Sequence, residues 1–241
     1  MGLDLFSLEG RVALVTGAAG QLGGAFSRAL AEAGAVVVES DVTPRDGQLE
    51  LDVSDLDSVN TAVEHIREKH GRLDILVNNA GVGVYTPLEE REVSDLEHVM
   101  GVNLTGTILC SRAVLPLMPA GGAIVNIASI YGVVSPDPRI YGTSGRNSSE
   151  IYGATKAGVI QLTKWLSVHC APRHVRVNAI TPGGIHAGQE EGFVEGYTRR
   201  TPLGRMATTD DMVGGLLYLV SPASAYVTGH NLVIDGGLTA W

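Results

Sequence analysis

Residues 11–34 of the chain read RVALVTGAAGQLGGAFSRALAEAG. A β-branched apolar run at 11–16 leads into a glycine turn and then into a helical pattern at 21–34. This order predicts a buried strand followed directly by a helix. Gly17, Gly20 and Gly23 fall in the turn, where glycine lets backbone N–H groups approach a phosphate and the helix N-terminus adds partial positive charge. We therefore expect a pyrophosphate-binding turn, although glycines at a turn can also be ordinary punctuation.

The same alternation of strand and helix continues to the end of the chain. Further strands are predicted at 35–40, just before Asp52, and at 73–79, 122–129, 174–180 and 231–235, with helices at 55–70, 95–118 and 152–170. Strands this apolar need cover on both faces. We predict an α/β Rossmann fold, a doubly wound parallel sheet of about seven strands with helices on both faces, in a single domain spanning residues 1–241.

Composition and charge make some classes of binding partner and some cellular locations unfavourable. The formal net charge of −9 disfavours a nucleic-acid partner, because phosphate backbones attract basic surfaces. Asp4 and Glu9 make the first ten residues unlike a signal peptide, and we expect no membrane-spanning helix. Cys110 and Cys170 lie in apolar helical patterns without CxxC or His spacing, so we expect buried thiols, no metal site and a cytoplasmic location.

An acidic residue follows the second predicted strand. Asp41 falls about 20 residues beyond the glycine turn, where a carboxylate accepts hydrogen bonds from the adenosine ribose. A carboxylate there also repels a 2′-phosphate, so we expect NAD as the cofactor and consider NADP less favoured. Arg45 lies close enough in sequence to soften that preference, and a solvated loop acid is the alternative interpretation of Asp41.

The segment YGATK places Tyr152 and Lys156 one helical turn apart on the same face. An ammonium near a phenol stabilises the phenolate, so we expect Lys156 to lower the pKa of Tyr152 and make it an acid-base group. Tyr131 and Tyr141 have no such lysine. We expect these two to be packing or loop residues, with stacking on substrate as the alternative.

Several motifs together resemble the short-chain dehydrogenase/reductase family over essentially the whole chain: TGAAGQLG, Asp41, DV at 52–53, NNAG at 78–81, VNLTG at 102–106, IVNIAS, YGATKAG, VRVNAITPGG and VTGHNLVIDGG. The resemblance implies a catalytic set of Asn103, Ser129, Tyr152 and Lys156. By this resemblance Tyr152 is the general acid or base and Ser129 orients the carbonyl or hydroxyl. Lys156 binds the nicotinamide ribose, and Asn103 supports a proton-relay water.

The resemblance also implies a set of cofactor contacts: Gly17, Gln21, Leu22, Gly23, Asp41, Asp52, Val53, Asn79, Ala80, Gly81, Tyr152, Lys156, Pro182, Gly183 and Ile185. Two positions depart from the usual pattern. Gln21 stands where most single-domain members have glycine, and Ile185 to Ala187 replace the usual threonine segment. His186, within that segment, is a second acid-base candidate, but we expect it to face solvent.

Two segments, 130–151 and 181–208, follow predicted strands and are expected to form substrate loops. The first is polar, and its side chains suit hydrogen bonding to a sugar-like substrate: Asp137, Arg139, Thr143, Ser144, Arg146 and Asn147. GVVSPDPRIYGTS before YGATKAG is similar to reductases of the flagellin-modification and legionaminic-acid pathway group. We therefore expect oxidation or reduction of a sugar or amino-sugar-type secondary alcohol or ketone.

Two other functions stay open. One is an oxoacyl-thioester or small-ketone reductase, for which NADPH and apolar substrate loops are more typical. The other is a nucleotide-sensing protein that keeps the fold without catalysis, although Tyr152 and Lys156 are both retained. The apolar helices 95–118 and 152–170 resemble the family's dimer seam, which implies a homo-oligomer, a dimer or homotetramer.

Overall fold

The computed structural model describes residues 3–142 and 146–241, so the predicted contacts of Thr143 and Ser144 lie outside the described residues. Seven parallel strands form one sheet in the order β3-β2-β1-β4-β5-β6-β7. Their bounds are β1 (Val12–Thr16), β2 (Val36–Asp41), β3 (Leu49–Glu50), β4 (Ile75–Asn78), β5 (Ala123–Ile127), β6 (Arg176–Pro182) and β7 (Asn231–Ile234). The predicted fold class is confirmed.

Helices cover both faces of the sheet: α1 (Gln21–Glu32), α2 (Leu56–His70), α3 (Val93–Met100), α4 (Gly106–Val114), α5 (Glu150–Cys170), α6 (Glu191–Arg200) and α7 (Asp210–Val220). Side chains along β1 point alternately to the two faces of the sheet, and each face has its own hydrophobic core. Leu14 faces the core under α2, α4 and α5, whereas Val15 faces the core under α1 and α7. Cys110 and Cys170 are free thiols buried in the first core, as expected.

The predicted continuous helix at 95–118 is wrong in detail. A π-helical turn, Gly101–Thr105, separates α3 from α4 and contains Asn103. Gly106, which follows it, packs so closely on Val53 that a Cβ at this position would lie 2.7 Å from Val53 Cγ2. Insertions of this kind in helices are frequent at functional sites. Apolar periodicity could not reveal the turn, because a single extra residue hardly disturbs the pattern.

The stretch Val93–Leu117, with a mean hydropathy of 1.2, is long and apolar enough for a membrane-spanning helix by length and composition. The sequence analysis expected no membrane-spanning helix, and among the described residues this is the one stretch that meets the two criteria. Val99, Cys110 and Val114 of this stretch are nevertheless buried inside the protein. Core helices of a globular domain can meet the same criterion, so the finding is weak evidence for a membrane span.

Asp74 anchors the amino-terminal ends of β1 and β4. Its fully buried carboxylate accepts hydrogen bonds from the Val12 N–H at 3.0 Å and from the guanidinium groups of Arg11 and Arg72. Burial opposes ionisation of this carboxyl, but the bonds from Arg72, Val12 and Arg11 outweigh burial and hold its pKa below the usual range. The ionised carboxylate thus connects two neighbouring strands.

Replacing Asp74 with alanine should lower the free energy of unfolding by about 2 kcal/mol, because charge-assisted hydrogen bonds and a buried N–H lose their acceptor. Urea denaturation of the wild type, Asp74→Ala and the control Asp46→Ala, which removes an exposed acid, would measure this. Equal losses in the two variants would contradict the anchoring role.

Candidate active site

A cavity of about 1050 Å³ opens at the carboxyl ends of the strands. It is lined by the turn after β1, by the ends of β2, β4, β5 and β6, and by both predicted substrate loops. Ligands of open parallel sheets bind at this edge, where the strand order reverses between β1 and β4. Every residue predicted as catalytic or as a cofactor contact lines this cavity except Asn103, whereas Asp137 and Asn147 of the polar loop do not line it.

The glycine turn has the shape that a pyrophosphate requires. Gly17 has a φ of +67°, and a Cβ at Gly23 would lie 2.2 Å from the Gly17 carbonyl oxygen. Gly20 caps α1 without any side-chain hydrogen bond, so the first N–H groups of this helix face the cavity without a competing side-chain acceptor. The donor set and the dipole of α1 fit an anionic phosphate group.

The turn is joined to the segment after β4 by one buried hydroxyl. Thr16 Oγ1 accepts hydrogen bonds from the N–H groups of Asn79 (3.1 Å) and Ala80 (3.0 Å). In return, Asn79 Nδ2 donates to the carbonyl oxygens of Thr16 and Gly17, at 2.9 and 3.1 Å. Neighbouring Asn78 lies inside the core, bonded to Ser111 and Asn126. The two asparagines therefore have structural roles that the sequence did not separate.

Asp41 lies at the end of β2, against the glycine turn. Its carboxylate accepts hydrogen bonds from the N–H groups of Ala19 (3.0 Å) and Thr43 (3.1 Å). Its side chain lines the cavity, as does that of Asp52, which accepts from Ser54. Arg45 is exposed and does not line the cavity. The influence of Arg45 on the choice between NAD and NADP stays a prediction.

Tyr152 is placed by the first turn of α5. Ser149 caps the helix by accepting from the Tyr152 N–H at 3.2 Å, which explains why α5 begins at Glu150 and not at the predicted residue 152. The side chain of Ser129, directly after β5, hydrogen-bonds the phenol of Tyr152. Burial raises the pKa of Tyr152 and this hydrogen bond lowers it, with a net increase.

We expected Lys156 to lower the pKa of Tyr152. Lys156 lies close to Tyr152, but the pKa of Tyr152 is raised. Lys156 Nζ lies 5.7 Å from the ring centroid of Tyr152 and donates to the Ile127 carbonyl oxygen at 2.8 Å. Burial lowers the pKa of Lys156 itself to about 8, because desolvation disfavours the charged form of the amine. The expectation about the phenol was wrong because burial determines the direction of its pKa shift, and Lys156 is not among the groups that shift it.

Asn103 acts on the loop after β4. Its side-chain oxygen accepts from the Val82 N–H at 2.8 Å, and its nitrogen donates to the Val82 carbonyl at 2.9 Å and to Thr155 Oγ1 at 3.3 Å. Both the oxygen and the nitrogen of the side-chain amide thus hold this loop beside α5. The water relay that the family resemblance implied stays a prediction.

The loop after β6 has most of its backbone groups occupied. Gly183 donates to the Ile234 carbonyl at 2.8 Å, and the Gly184 N–H is bonded to the phenol of Tyr197. At the rim, Gln21 Nε2 donates to the His186 carbonyl at 3.1 Å, so the unusual glutamine links the glycine turn to this loop. The side chain of His186 is exposed and does not line the cavity.

An aromatic wall forms the chemical end of the cavity. Tyr131 and Tyr141, whose hydroxyls are 3.5 Å apart, pack with Phe193 and Tyr197 of α6. Tyr85 also lines the cavity, with the guanidinium of Arg146 over its ring. Tyr131 and Tyr141 are therefore both packing and cavity-lining residues. Sequence reasoning missed Tyr85, Phe193 and Tyr197, because only the tertiary fold brings these distant segments together.

Comparison with known proteins agrees with this geometry. A family model described as enoyl-(acyl carrier protein) reductase matches residues 17–239. The 3-oxoacyl-[acyl-carrier-protein] reductase FabG of Thermotoga maritima is 36% identical over 252 residues, covering 96% of this chain and 98% of its own. The chain therefore belongs to the short-chain dehydrogenase/reductase family. It is an oxidoreductase that acts on alcohols or ketones.

Two solved structures are similar over nearly their whole length. A short chain dehydrogenase from Leptospira borgpetersenii with bound NAD+ has a TM-score of 0.92 and 36% identity, covering 99% of this chain and 96% of its own. A gluconate 5-dehydrogenase from Burkholderia cenocepacia in complex with NADP and tartrate has a TM-score of 0.91 and 32% identity, with 100% of both chains covered. The family thus includes proteins of the same shape with either dinucleotide bound.

The lowered pKa of Lys156 predicts a pH-dependent stability. Between about pH 8 and pH 10.5 the unfolded chain holds a proton that the folded chain has lost, so stability rises with pH in this window. The free energy of unfolding of the wild type relative to Lys156→Met should increase by about 3 kcal/mol across it. Denaturant titrations at several pH values would measure this. Lys164→Met, which removes an exposed lysine of α5, is the control and should show no such trend.

Proposed function

We propose that the protein is an NAD(H)-dependent dehydrogenase that interconverts a secondary alcohol and a ketone, with Tyr152 as the general acid or base. The observation that carries the proposal is the pairing of Tyr152 with Ser129 on the wall of a cavity whose other end holds the glycine turn and Asp41. A phenol and a hydroxyl side by side can both donate to one carbonyl oxygen.

Ketone reduction needs an acid, and the raised pKa of Tyr152 keeps its phenol protonated near neutrality. Tyr152 then gives its proton to the substrate oxygen while Ser129 holds that oxygen by a hydrogen bond. A bound nicotinamide supplies the hydride for reduction and accepts it in oxidation. In the oxidative direction Tyr152 must first lose its proton, so alcohol oxidation requires higher pH than ketone reduction.

The preference for NAD rests on Asp41. Its carboxylate lines the cavity at the end of β2, where it is suited to accept hydrogen bonds from ribose hydroxyls and to repel a 2′-phosphate. The glycine turn and the N-terminus of α1 would hold the pyrophosphate, and Lys156 the nicotinamide ribose. The NAD+ bound to the Leptospira relative is consistent with this assignment, although the Burkholderia relative holds NADP.

For the substrate we propose a sugar or other sugar-derived alcohol. Aromatic rings of Tyr131 and Tyr141 offer faces for a ring, and Gln189 and Arg146 offer hydrogen-bond donors on the cavity wall. The Burkholderia relative, a gluconate 5-dehydrogenase, acts on a sugar-derived acid. The narrower resemblance to amino-sugar reductases of the flagellin-modification and legionaminic-acid pathways remains a prediction.

A second candidate is reduction of an oxoacyl thioester. Ile140, Phe193 and Met206 give the same cavity an apolar side, and the Thermotoga relative is an oxoacyl reductase. Turnover of thioesters with NADPH, and none of sugar-type alcohols with NAD, would favour this function. Binding of the dinucleotide with no turnover of either class would favour a nucleotide sensor.

We also propose a cytoplasmic homo-oligomer. Trp165 and Val168 of α5 are 59% and 76% exposed, and Ile108 of α4 is exposed too. These apolar side chains lie on the two helices that the family resemblance assigns to a subunit interface. Light scattering of the purified protein would give the number of subunits, and a monomer would contradict the proposal.

Replacing Tyr152 with phenylalanine should reduce kcat about 100-fold or more while NADH binding is retained, because only the transferable proton is removed. Nicotinamide absorbance with a panel of sugar-type ketones and alcohols measures turnover, and fluorescence titration measures NADH binding. Tyr226→Phe, which alters a fully exposed ring, is the control. A Tyr152→Phe enzyme with wild-type turnover would refute the assigned role.

Replacing Asp41 with serine should reduce the ratio of kcat/KM for NAD to that for NADP by about tenfold or more, because the charge that repels the 2′-phosphate is lost. Asp46→Ser, in the exposed turn before β3, should leave the ratio unchanged. Steady-state kinetics with both dinucleotides provide the test. A wild-type preference for NADP would overturn the NAD assignment.

A further inference from the structure

The side chain of Gln21 forms a hydrogen bond across the mouth of the cavity. Its Nε2 donates to the main-chain carbonyl oxygen of His186 at 3.1 Å. Gln21 stands where most single-domain members of the family have glycine, and glycine has no side chain to form such a bond. His186 belongs to the other segment that departs from the family pattern, Ile185 to Ala187. The two departures are therefore in direct contact.

This bond joins two segments that both line the cavity. Gln21 is the first residue of α1, beside the turn that fits a pyrophosphate, and Ile185 of the loop after β6 lines the cavity next to His186. Gln21 and His186 are both exposed, so the bond lies at the solvent rim. Within residues 3–142 and 146–241, it is the one hydrogen bond between the glycine turn, 17–23, and the loop, 183–190.

The loop is anchored on the side of α7 without any help from Gln21. The His186 N–H donates to the Ala207 carbonyl oxygen at 2.8 Å, and the Ala207 N–H donates to the Gly184 carbonyl oxygen at 2.9 Å. Ile185 and Ala207 form an isolated parallel bridge at the same place. Loss of the Gln21 side chain should therefore leave this anchor intact.

The tip of the loop also keeps its shape by itself. The Ala187 N–H donates to Gln189 Oε1 at 2.7 Å, and Gln189 Nε2 donates to the Ile185 carbonyl oxygen at 2.9 Å. Neither bond uses the carbonyl oxygen of His186, which accepts from Gln21. The bond from Gln21 is thus not needed to fold the loop, and its effect is to hold the folded loop against the glycine turn.

From this arrangement we propose that Gln21 is a positioning residue that closes the loop after β6 over the bound dinucleotide, and that NAD(H) enters and leaves when the bond to His186 opens. The proposal rests on the proposed function, which assigns the pyrophosphate to the glycine turn and the nicotinamide ribose to Lys156. A dinucleotide bound in this way has to pass the two segments that the bond joins. Opening of such loops often limits the exchange of ligands.

The bond has a distinctive kinetic effect because it joins two groups of the protein. Opening it costs the same in the free and in the occupied protein, so its removal should speed binding and release alike and leave Kd almost unchanged. Direct contact of Gln21 with the phosphate groups would instead give faster release and weaker binding. The two rate constants therefore distinguish closure of the loop from a contact with the ligand.

Stopped-flow fluorescence of NADH measures both rate constants in the wild type and in Gln21→Met, which keeps the length of the side chain and removes the donor. Both should rise about threefold to tenfold in Gln21→Met, as expected for the loss of one exposed hydrogen bond, while Kd changes by less than about twofold. The affinity for ADP, measured by displacement of NADH, should stay at the wild-type value, because ADP needs only the glycine turn and the end that contains Asp41.

His186→Ala is the matched control. It removes an exposed side chain from the same loop and keeps the carbonyl oxygen that Gln21 uses, so both rate constants should equal those of the wild type. Equal acceleration in His186→Ala would overturn the proposal, because any change in the loop would then have the same effect. Unchanged rate constants in Gln21→Met would overturn it as well, and so would weaker binding of both NADH and ADP.

The same measurements separate this proposal from the proposed function, because exchange of NADH does not require turnover. Faster exchange in Gln21→Met without turnover of any alcohol or ketone would support the role of Gln21, and only the proposed dehydrogenase function would fail. Turnover with NAD(H) together with unchanged exchange in Gln21→Met would leave that function standing and overturn the role of Gln21. A wild type that does not bind NADH would overturn both.

Discussion

The side-chain hydroxyl of Thr16 is the contact on which the geometry of the cavity depends. It donates to the Val77 carbonyl and accepts from the N–H groups of Asn79 and Ala80, so it joins the last residue of β1 to the chain leaving β4. These two strands are neighbours although they are far apart in sequence, and the connections diverge here to opposite sides of the sheet. The gap between the connections becomes the cavity because this hydroxyl fixes both of its edges.

The local sequence predicted those elements whose conformation depends mainly on neighbouring residues in the chain. The first strand, its glycine turn and α1 follow from periodicity and from the backbone freedom of Gly17. The family resemblance, and not local sequence, assigned Ser129 to the same site as Tyr152, and the structure brings the two side chains together. The π-helical turn at Asn103 was not predictable in this way, since it depends on contacts between that side chain and Val82.

The chemical end of the cavity shows where sequence reasoning stops. Arg146 and Tyr85 are 61 positions apart in the sequence. They meet because Arg91 donates to the carbonyl oxygens of both Thr86 and Asn147, which joins their two loops. The pKa of Tyr152 is a second example. Spacing correctly put Lys156 beside it, but the direction of the shift depends on burial, which the three-dimensional packing determines. The spacing in the sequence predicted the position of Lys156, whereas the direction of the pKa shift of Tyr152 could be found only from the folded structure.

Arg91 has a consequence for how this fold can diversify. Its side chain pairs with Glu150, the first residue of α5, while at the β5 end of the same loop Ser129 accepts from the Tyr131 N–H and Ile130 is buried. Exposed cavity-lining positions between these two points, such as Arg139, can therefore change in composition without displacing Tyr152, whereas Gly132 packs on the Lys156 backbone and Ile140 is buried. Evolution can reshape the part that selects the substrate while the acid-base pair stays in register with the dinucleotide end. The buried side chain of Arg91 takes no part in the reaction, but it keeps the catalytic residues in place while the substrate specificity of the loop changes.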